Sequence, residues 1–157
     1  MKKILIALDY NPTAEKIAEG GYALAKATNA AVILMHVVAE PMYYSSLDYS
    51  PIMGYAGFTS PDIMLMADAP DLKKASQDFL DQSKKHLGDD SITTLIGEGD
   101  CADAILKAAT EMEVDAIVMG THSRRGLDKI LMGSISEKVL HHSTIPMFII
   151  PTKHESK

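Results

Sequence analysis

A glycine-punctuated stretch near the carboxyl end of the chain has residue types that bind phosphate. Residues 118–137 leave an apolar segment, cross a loop and enter a helical pattern. Gly120 and Gly133 have no Cβ, so the backbone at these positions can approach an anion closely. Arg124 and Arg125 can add positive charge at the phosphate end. Because a helix N-terminus offers amide donors and the positive end of its dipole, we regard this stretch as a candidate phosphate site.

The start of this last helix also has a purely structural explanation. Ser134 and Glu137 have the Ser-x-x-Glu spacing of a capping box, in which the two side chains satisfy backbone amides at the helix start. The serine hydroxyl can cap one amide while neighbouring backbone donors face a ligand. The bare pattern therefore leaves both uses open.

Other chemistries that use nucleotides, nucleophiles or metals lack their motifs. The chain has no Gly-x-x-x-x-Gly-Lys-Ser/Thr run, and residues 9–12 after the first apolar segment contain no glycine of a dinucleotide fingerprint. Residues 120–124 lack the second glycine of a hydrolase Gly-x-Ser-x-Gly elbow. His141 and His142 are adjacent, so on a helix they point about 100° apart, unlike a zinc-binding i, i+4 pair. His36 lies in an apolar segment and is expected to be a hydrogen-bonded core histidine.

The elements that must position this stretch follow a regular order. Five short apolar segments rich in β-branched residues alternate with four helical patterns, which is typical of βα units and predicts an α/β fold. We expect all five strands to be buried. The strands are predicted at 3–8, 31–38, 92–96, 116–119 and 146–150. The first helix is predicted to have Asn11 as its cap and Pro12 at its first position, and its inward face consists of Ala14, Ile17, Ala18, Gly21, Leu24 and Ala25. The other three helices are predicted at about 71–87, 101–113 and 135–141. The third helix is expected to turn Ala104, Ile105, Ala108 and Met112 inward.

Composition narrows the class of protein. The length of 157 residues fits one domain, 1–157, and the apolar content of 46% with 6% aromatic residues favours an aliphatic core. The net charge of −6, without a basic run, argues against nucleic acid as a partner. No apolar window reaches the roughly 20 residues that span a bilayer, so we expect no membrane insertion and a cytoplasmic location. Cys101, the single cysteine, follows the predicted N-cap Asp100 and is expected to be a small packed side chain.

The segment 39–70 has no clear periodicity and is long for a connection. We favour a loop packed on its own domain or on a symmetry mate; the alternative is a lid or a surface for a protein partner, formed by adaptable methionine and tyrosine side chains. The apolar residues concerned are Met42, Tyr43, Tyr44, Tyr49, Met53, Tyr55, Met64 and Met66.

The glycine-punctuated stretch resembles the signature of the universal stress protein family, which reads Gly, two residues, Gly, nine residues, Gly-Ser. Further family landmarks occur in order over nearly the whole chain: Asp9 after the first strand, His36-Val37 in the second, and the segments 97–99 and 114–120. Ser123 stands where the second signature glycine belongs. If that position needs a positive φ, a serine there costs on the order of 1 kcal/mol and narrows the approach of phosphate.

The resemblance implies a protein of the stress response that binds ATP and acts as a regulatory dimer, with slow hydrolysis at most. It implies a five-stranded parallel sheet in the order 3-2-1-4-5 with helices on both faces. The homodimer would form through strand 146–150, which is apolar on both faces and needs cover at the rim of the sheet. The alternative function is a nucleotide-independent interaction module that uses loop 39–70 to bind a protein partner.

By the same resemblance, Asp9 lies beside the ribose or beside an ion on the phosphates, Mg²⁺ or Mn²⁺. Val37 offers backbone groups to the adenine edge, and the signature residues hold ribose and phosphates. The full set of expected nucleotide-binding residues is Ala7, Leu8, Asp9, Val37, Met119, Gly120, Ser123, Arg124, Gly133, Ser134 and Ile135. No catalytic residue is expected.

Overall fold

The computed structural model describes residues 1–8, 14–38, 69–121 and 134–152. Strands and helices alternate along these parts of the chain. The strands are β1 (Lys3–Ala7), β2 (Ala31–Val38), β3 (Thr93–Glu98), β4 (Ala116–Gly120) and β5 (Met147–Ile150), and the helices are α1 (Ala14–Thr28), α2 (Ala69–Leu87), α3 (Cys101–Glu111) and α4 (Ser134–His142).

The strands form one parallel sheet in the order β3-β2-β1-β4-β5, which confirms the predicted α/β fold and strand order. β1 is the central strand, and Ile4 pairs with Val32 of β2 on one side and with Ala116 of β4 on the other. Parallel neighbours cannot be joined by a tight turn, so a helix follows each of the first four strands and returns the chain to the other end of the sheet.

Two apolar clusters fill the space between the sheet and its helices. Alternate residues of β1 point to opposite faces, and Ile4 and Ile6 pack in the cluster that contains Ile17 of α1 and Phe79 of α2. Leu5 packs in the other cluster, with residues of α3 and α4. The sheet therefore has α1 and α2 on one face and α3 and α4 on the other.

The expectation that all five strands are buried is wrong for two of them. β3 is only half-buried and exposed at both ends, and β5 is half-buried with Phe148 39% exposed. Among the described strands, these two lie at the rims of the sheet, and each pairs with a single neighbour. Their apolar composition did not reveal this, because a rim strand that packs on helices resembles a central strand in sequence.

Element boundaries and inward faces differ slightly from the prediction. β1 ends at Ala7, β3 runs from Thr93 to Glu98, and α3 ends at Glu111 rather than at residue 113. On the helices, Leu24, Ala104 and Met112 are half-buried instead of fully buried, and Ala102 and Ala109 are buried as well. Asn11 and Pro12 lie outside the described residues, as does the part of the predicted loop at 39–68. In the parts of the chain that the structure describes, no helix is long and apolar enough to cross a membrane.

Candidate functional site

The carboxyl ends of the strands meet at one edge of the sheet, and β1 and β4 mark the point where the connection reverses. After β1 the chain crosses to β2 on one side, whereas β4 pairs on the other side of β1. In open parallel sheets the crevice outside such a switch point is the usual ligand site. Residues that bind a ligand are therefore expected at this edge.

The described residues of the predicted site lie at this edge. Their side chains are buried or half-buried, so what they can offer a ligand is mainly backbone. Asp9, Ser123, Arg124 and Gly133 lie outside the described residues, and Ser134 is described only as the first residue of α4. The described members are Ala7, the last residue of β1, with Leu8 directly after it, Val37 near the end of β2, Met119 and Gly120 at the end of β4, and Ile135 in the first turn of α4.

Val37 directs its backbone groups to the side of β2 where β1 ends. The Leu8 amide donates to the Met35 carbonyl at 2.8 Å, and the Ala31 amide donates to the Lys2 carbonyl at 2.8 Å. Groups of a parallel strand alternate between its two neighbours, so Val37, two residues after Met35, also turns its N–H and C=O toward β1. The described residues that follow β1 end beside it, at Leu8.

His36 ties the ends of β1 and β2 together. The residue is 5% exposed, and its Nδ1 lies 2.9 Å from the Leu8 carbonyl, which can only accept, so Nδ1 carries the proton. The imidazole meets the Phe79 ring edge-to-face, with ring centroids 5.8 Å apart. This arrangement confirms the predicted core histidine.

Gly120 has a packing role that the sequence did not suggest. A Cβ at this position would lie 2.3 Å from Cδ1 of Ile17 and 2.9 Å from Cγ2 of Thr152. The missing side chain thus lets α1 and the segment after β5 close over the end of β4. The glycine sits at the predicted site, and its Cβ direction is occupied by the protein itself.

Ser136 fixes the start of α4 against β4. Its hydroxyl donates to the Gly120 carbonyl at 2.9 Å, and its side chain is buried. The first turn of α4 consequently lies beside the carboxyl end of β4. Ser136 was not predicted as a site residue; the only sequence signal is a second serine two residues after Ser134.

Two buried threonines, also unpredicted, hold the ends of β4 and β5 together. The Thr121 amide donates to the Ile150 carbonyl at 3.1 Å, and the Thr152 amide donates to the Thr121 hydroxyl at 3.0 Å. The Thr152 hydroxyl in turn donates to the Thr121 carbonyl. This part of the edge is rigidly connected by polar contacts within the protein.

The N-terminus of α3 lies at the same edge but is already capped. The Asp100 carboxylate accepts from the Asp103 amide at 3.0 Å and pairs with Lys138 of α4 at 3.2 Å. The Asp103 amide, with the ammonium of Lys138, holds the pKa of Asp100 below its usual value. Cys101 follows this cap as a half-buried residue of the first turn. An anionic cap of this kind disfavours phosphate at the start of α3, whereas the residues described at the start of α4 include no such carboxylate cap.

The sequence model of the universal stress protein family matches residues 1–151. The chain belongs to the universal stress protein family. Universal stress protein MJ0577 from Methanocaldococcus jannaschii is 29% identical over 156 residues, which cover 98% of this chain and 96% of that protein. Stress response protein NhaX from Bacillus subtilis is 28% identical over 164 residues, covering 94% of this chain and 96% of the relative.

Solved structures of universal stress proteins share the fold. The structure of MJ0577 superimposes with a TM-score of 0.71 at 27% sequence identity and covers 98% of each chain. The structure of a universal stress protein in complex with cAMP gives a TM-score of 0.57 at 20% identity, with 95% of each chain covered. Gly120, the first glycine of the glycine-punctuated stretch, lies at the carboxyl edge of this sheet.

Proposed function

We propose that this universal stress protein binds ATP at the carboxyl edge of its sheet and works in the cytoplasm as a nucleotide-dependent regulatory dimer. One observation carries the proposal: the carboxyl ends of β1, β2 and β4 lie at the same edge of the sheet as the first turn of α4. The Ser136 hydroxyl fixes that turn there by donating a hydrogen bond to the Gly120 carbonyl.

The adenine base fits the β2 side of this edge. Val37 turns an N–H donor and a C=O acceptor toward the crevice beyond β1, and a purine edge needs such a pair of groups. Ala7, Leu8 and Met119 provide buried apolar surroundings. A fold neighbour solved in complex with cAMP supports an adenine nucleotide as the ligand class.

The polyphosphate fits the α4 side. The amides of Gly133, Ser134 and Ile135 at the helix start are the proposed donors, and Ser123 and Arg124 belong to the same proposed site. Asp9, which directly follows the described end of β1, is the proposed ligand of Mg²⁺ or Mn²⁺ on the phosphates, because carboxylate oxygens suit these hard cations.

A regulatory role is favoured over fast hydrolysis by the side chains near the edge. Among the described residues there, the His36 imidazole is buried and bonded to Leu8, and the Asp100 carboxylate caps α3. Both groups already have structural partners, since His36 bonds to the Leu8 carbonyl and Asp100 bonds to the Asp103 amide and to Lys138. We therefore expect a bound nucleotide to bias a conformation, with hydrolysis slow.

The dimer is proposed to form through β5. In the described sheet this strand pairs with β4 alone, so its other edge presents backbone donors and acceptors. Phe148 is 39% exposed on it, and Met147 and Ile149 are half-buried. Pairing with the same strand of a second copy would cover both the backbone edge and these side chains.

Equilibrium binding of labelled ATP to the full chain tests the nucleotide site. Wild type should bind saturably, and Gly133→Val should reduce affinity by at least about tenfold, since a side chain would obstruct the approach of phosphate to the backbone. Ala27→Val, which adds similar bulk at an exposed position of α1, is the matched control and should bind as wild type does. The absence of saturable binding to wild type would refute the proposal and favour the nucleotide-independent interaction module.

A further inference from the structure

Three metal-ligating side chains converge on the outer surface of α1 and α2. The Nε2 atom of His86 lies 2.9 Å from Oε1 of Glu15 and 2.8 Å from Oε1 of Glu19. One ligand atom from each residue falls within 4.8 Å of the other two. Glu15 and Glu19 stand one turn apart on the same face of α1, and His86 approaches from the last turn of α2.

The structure assigns to Glu15, Glu19 and His86 a binding site for a divalent transition-metal ion of the zinc class. The ligand set is one imidazole nitrogen and two carboxylate oxygens, which leaves a coordination position for water. Catalytic zinc sites likewise combine three protein ligands with a water in the fourth position, and histidine and glutamate are both zinc ligands. An imidazole ligand favours zinc, cobalt or nickel over magnesium and calcium, which prefer oxygen ligands throughout.

The charge of the cluster fits a dication. Two carboxylates at i and i+4 of a helix repel each other, and a neutral imidazole leaves the cluster with two negative charges. A divalent ion neutralises them. A protonated imidazole neutralises only one of the two negative charges. The proton on His86 therefore competes with the metal ion, and the hydrogen bond of His86 to Glu19, with the charge of Glu15, raises the pKa of His86.

The geometry needs little change to accept the ion. Zinc bonds of about 2.0–2.2 Å in a tetrahedron put neighbouring ligand atoms roughly 3.3 Å apart. The two distances from His86 are 2.8 and 2.9 Å, so each carboxylate has to withdraw by about half an ångström. The three side chains are 36–57% exposed, which leaves them room to move and gives the ion access from solvent.

Calorimetric titration of the metal-free full chain with zinc chloride at pH 8 and without nucleotide tests this site. The higher pH reduces competition from the proton on His86. Wild type should bind one equivalent of zinc more than His86→Gln. Glu15→Gln and Glu19→Gln should each lower the affinity for that equivalent by at least about tenfold. At a zinc concentration about 100 times the dissociation constant, the thermal midpoint of wild type should rise by about 5–10 °C, because the ion joins α1 to α2.

His141→Gln is the matched control. His141 is exposed, and among the described residues its Nε2 has one neighbouring carboxylate, that of Glu137 at 3.7 Å, so this pair offers two ligands instead of three. This variant should keep the full stoichiometry and the rise in thermal midpoint, and magnesium chloride should produce neither effect. Equal zinc uptake by wild type and His86→Gln, or no uptake by wild type, would overturn the assignment. Because nucleotide is absent, this result is independent of ATP binding.

Discussion

A methyl group added at Gly120 should lower the stability of the protein, and the size of the loss follows from three contacts. In Gly120→Ala the new carbon would lie 2.3 Å from Cδ1 and 2.8 Å from Cγ1 of Ile17, and 2.9 Å from Cγ2 of Thr152. All three distances are shorter than real Cβ atoms tolerate, so α1 or the segment after β5 must shift.

The magnitude is the difference between two opposing effects. Inserting a methylene-sized group into a packed region costs about 1–3 kcal/mol. Gly120 lies in a strand and does not have the positive φ that disfavours other residues, so alanine also gains about 0.4–1 kcal/mol from a less flexible unfolded chain. We expect a net loss of about 1–2 kcal/mol in the free energy of unfolding.

A double-mutant cycle with Ile17→Ala identifies the contact responsible. That change removes both isoleucine atoms that the new methyl group meets and by itself costs about 2–5 kcal/mol. Because the clash with Ile17 is then absent, the double variant should be more stable than the sum of the single effects by about 1 kcal/mol. Urea unfolding followed by circular dichroism measures all three variants against wild type.

Gly97→Ala is the control for a glycine in a strand. Its new Cβ would come within 2.6 Å of the Met35 Cε atom, the flexible end of a long side chain, and its two other nearest atoms are at 3.3 and 3.4 Å. Gly97→Ala should therefore lower the free energy of unfolding by less than Gly120→Ala does. If Gly120→Ala were as stable as wild type, or if the cycle were additive, the packing argument would be refuted and a ligand-related reason for the glycine would take its place.

Two further predictions concern the surface. Hydrogen bonds from the Ser91 hydroxyl and amide and from Tyr22 lower the pKa of Asp89 to about 2. The contribution of Asp89 to stability is therefore present above its ordinary pKa and is lost as pH falls from about 4 to about 2. In urea unfolding, Asp89→Asn should be less stable than wild type at pH 7, and its free energy of unfolding should fall less steeply toward acid pH. Phe148→Glu should convert the proposed dimer into a monomer in sedimentation velocity, because it places a charge in the β5 edge.

Each of these has an outcome that contradicts it. An acid decline in Asp89→Asn as steep as that of wild type would show that other carboxylates control stability in this range. A wild type that sediments as a monomer, or a Phe148→Glu variant that stays dimeric while remaining folded, would argue against association through β5. Ala27→Glu, which adds the same charge at an exposed position of α1, is the control.

The alternation of apolar segments and helical patterns was sufficient to predict parallel βα units, but not which strands are neighbours. Alternation shows that strands are parallel, and many orders satisfy it; the correct order came from the family resemblance. The same limit explains the error on β3 and β5. Phe148 and Ile150 in a rim strand are large apolar residues, as are Ile4 and Ile6 in the central strand.

The candidate site was predicted in part. The family resemblance named Leu8, Val37 and Gly120 as site residues, and all three lie at the carboxyl edge of the sheet. Ser136 and the Thr121–Thr152 pair were missed because each bonds to a backbone group 16 to 31 residues away, and no local pattern reveals such a partner.

These missed contacts change what the signature residues are expected to do. The position of α4 is fixed from within the described fold: Ser136 bonds to the end of β4, Lys138 pairs with the cap of α3, and Val139 is fully buried in the core. None of these contacts involves residues 122–133. A substitution such as Gly133→Val should therefore change ATP affinity while leaving the urea midpoint nearly unchanged. A comparable loss of ATP affinity and of the urea midpoint would mean that the fold, and not the ligand, requires Gly133.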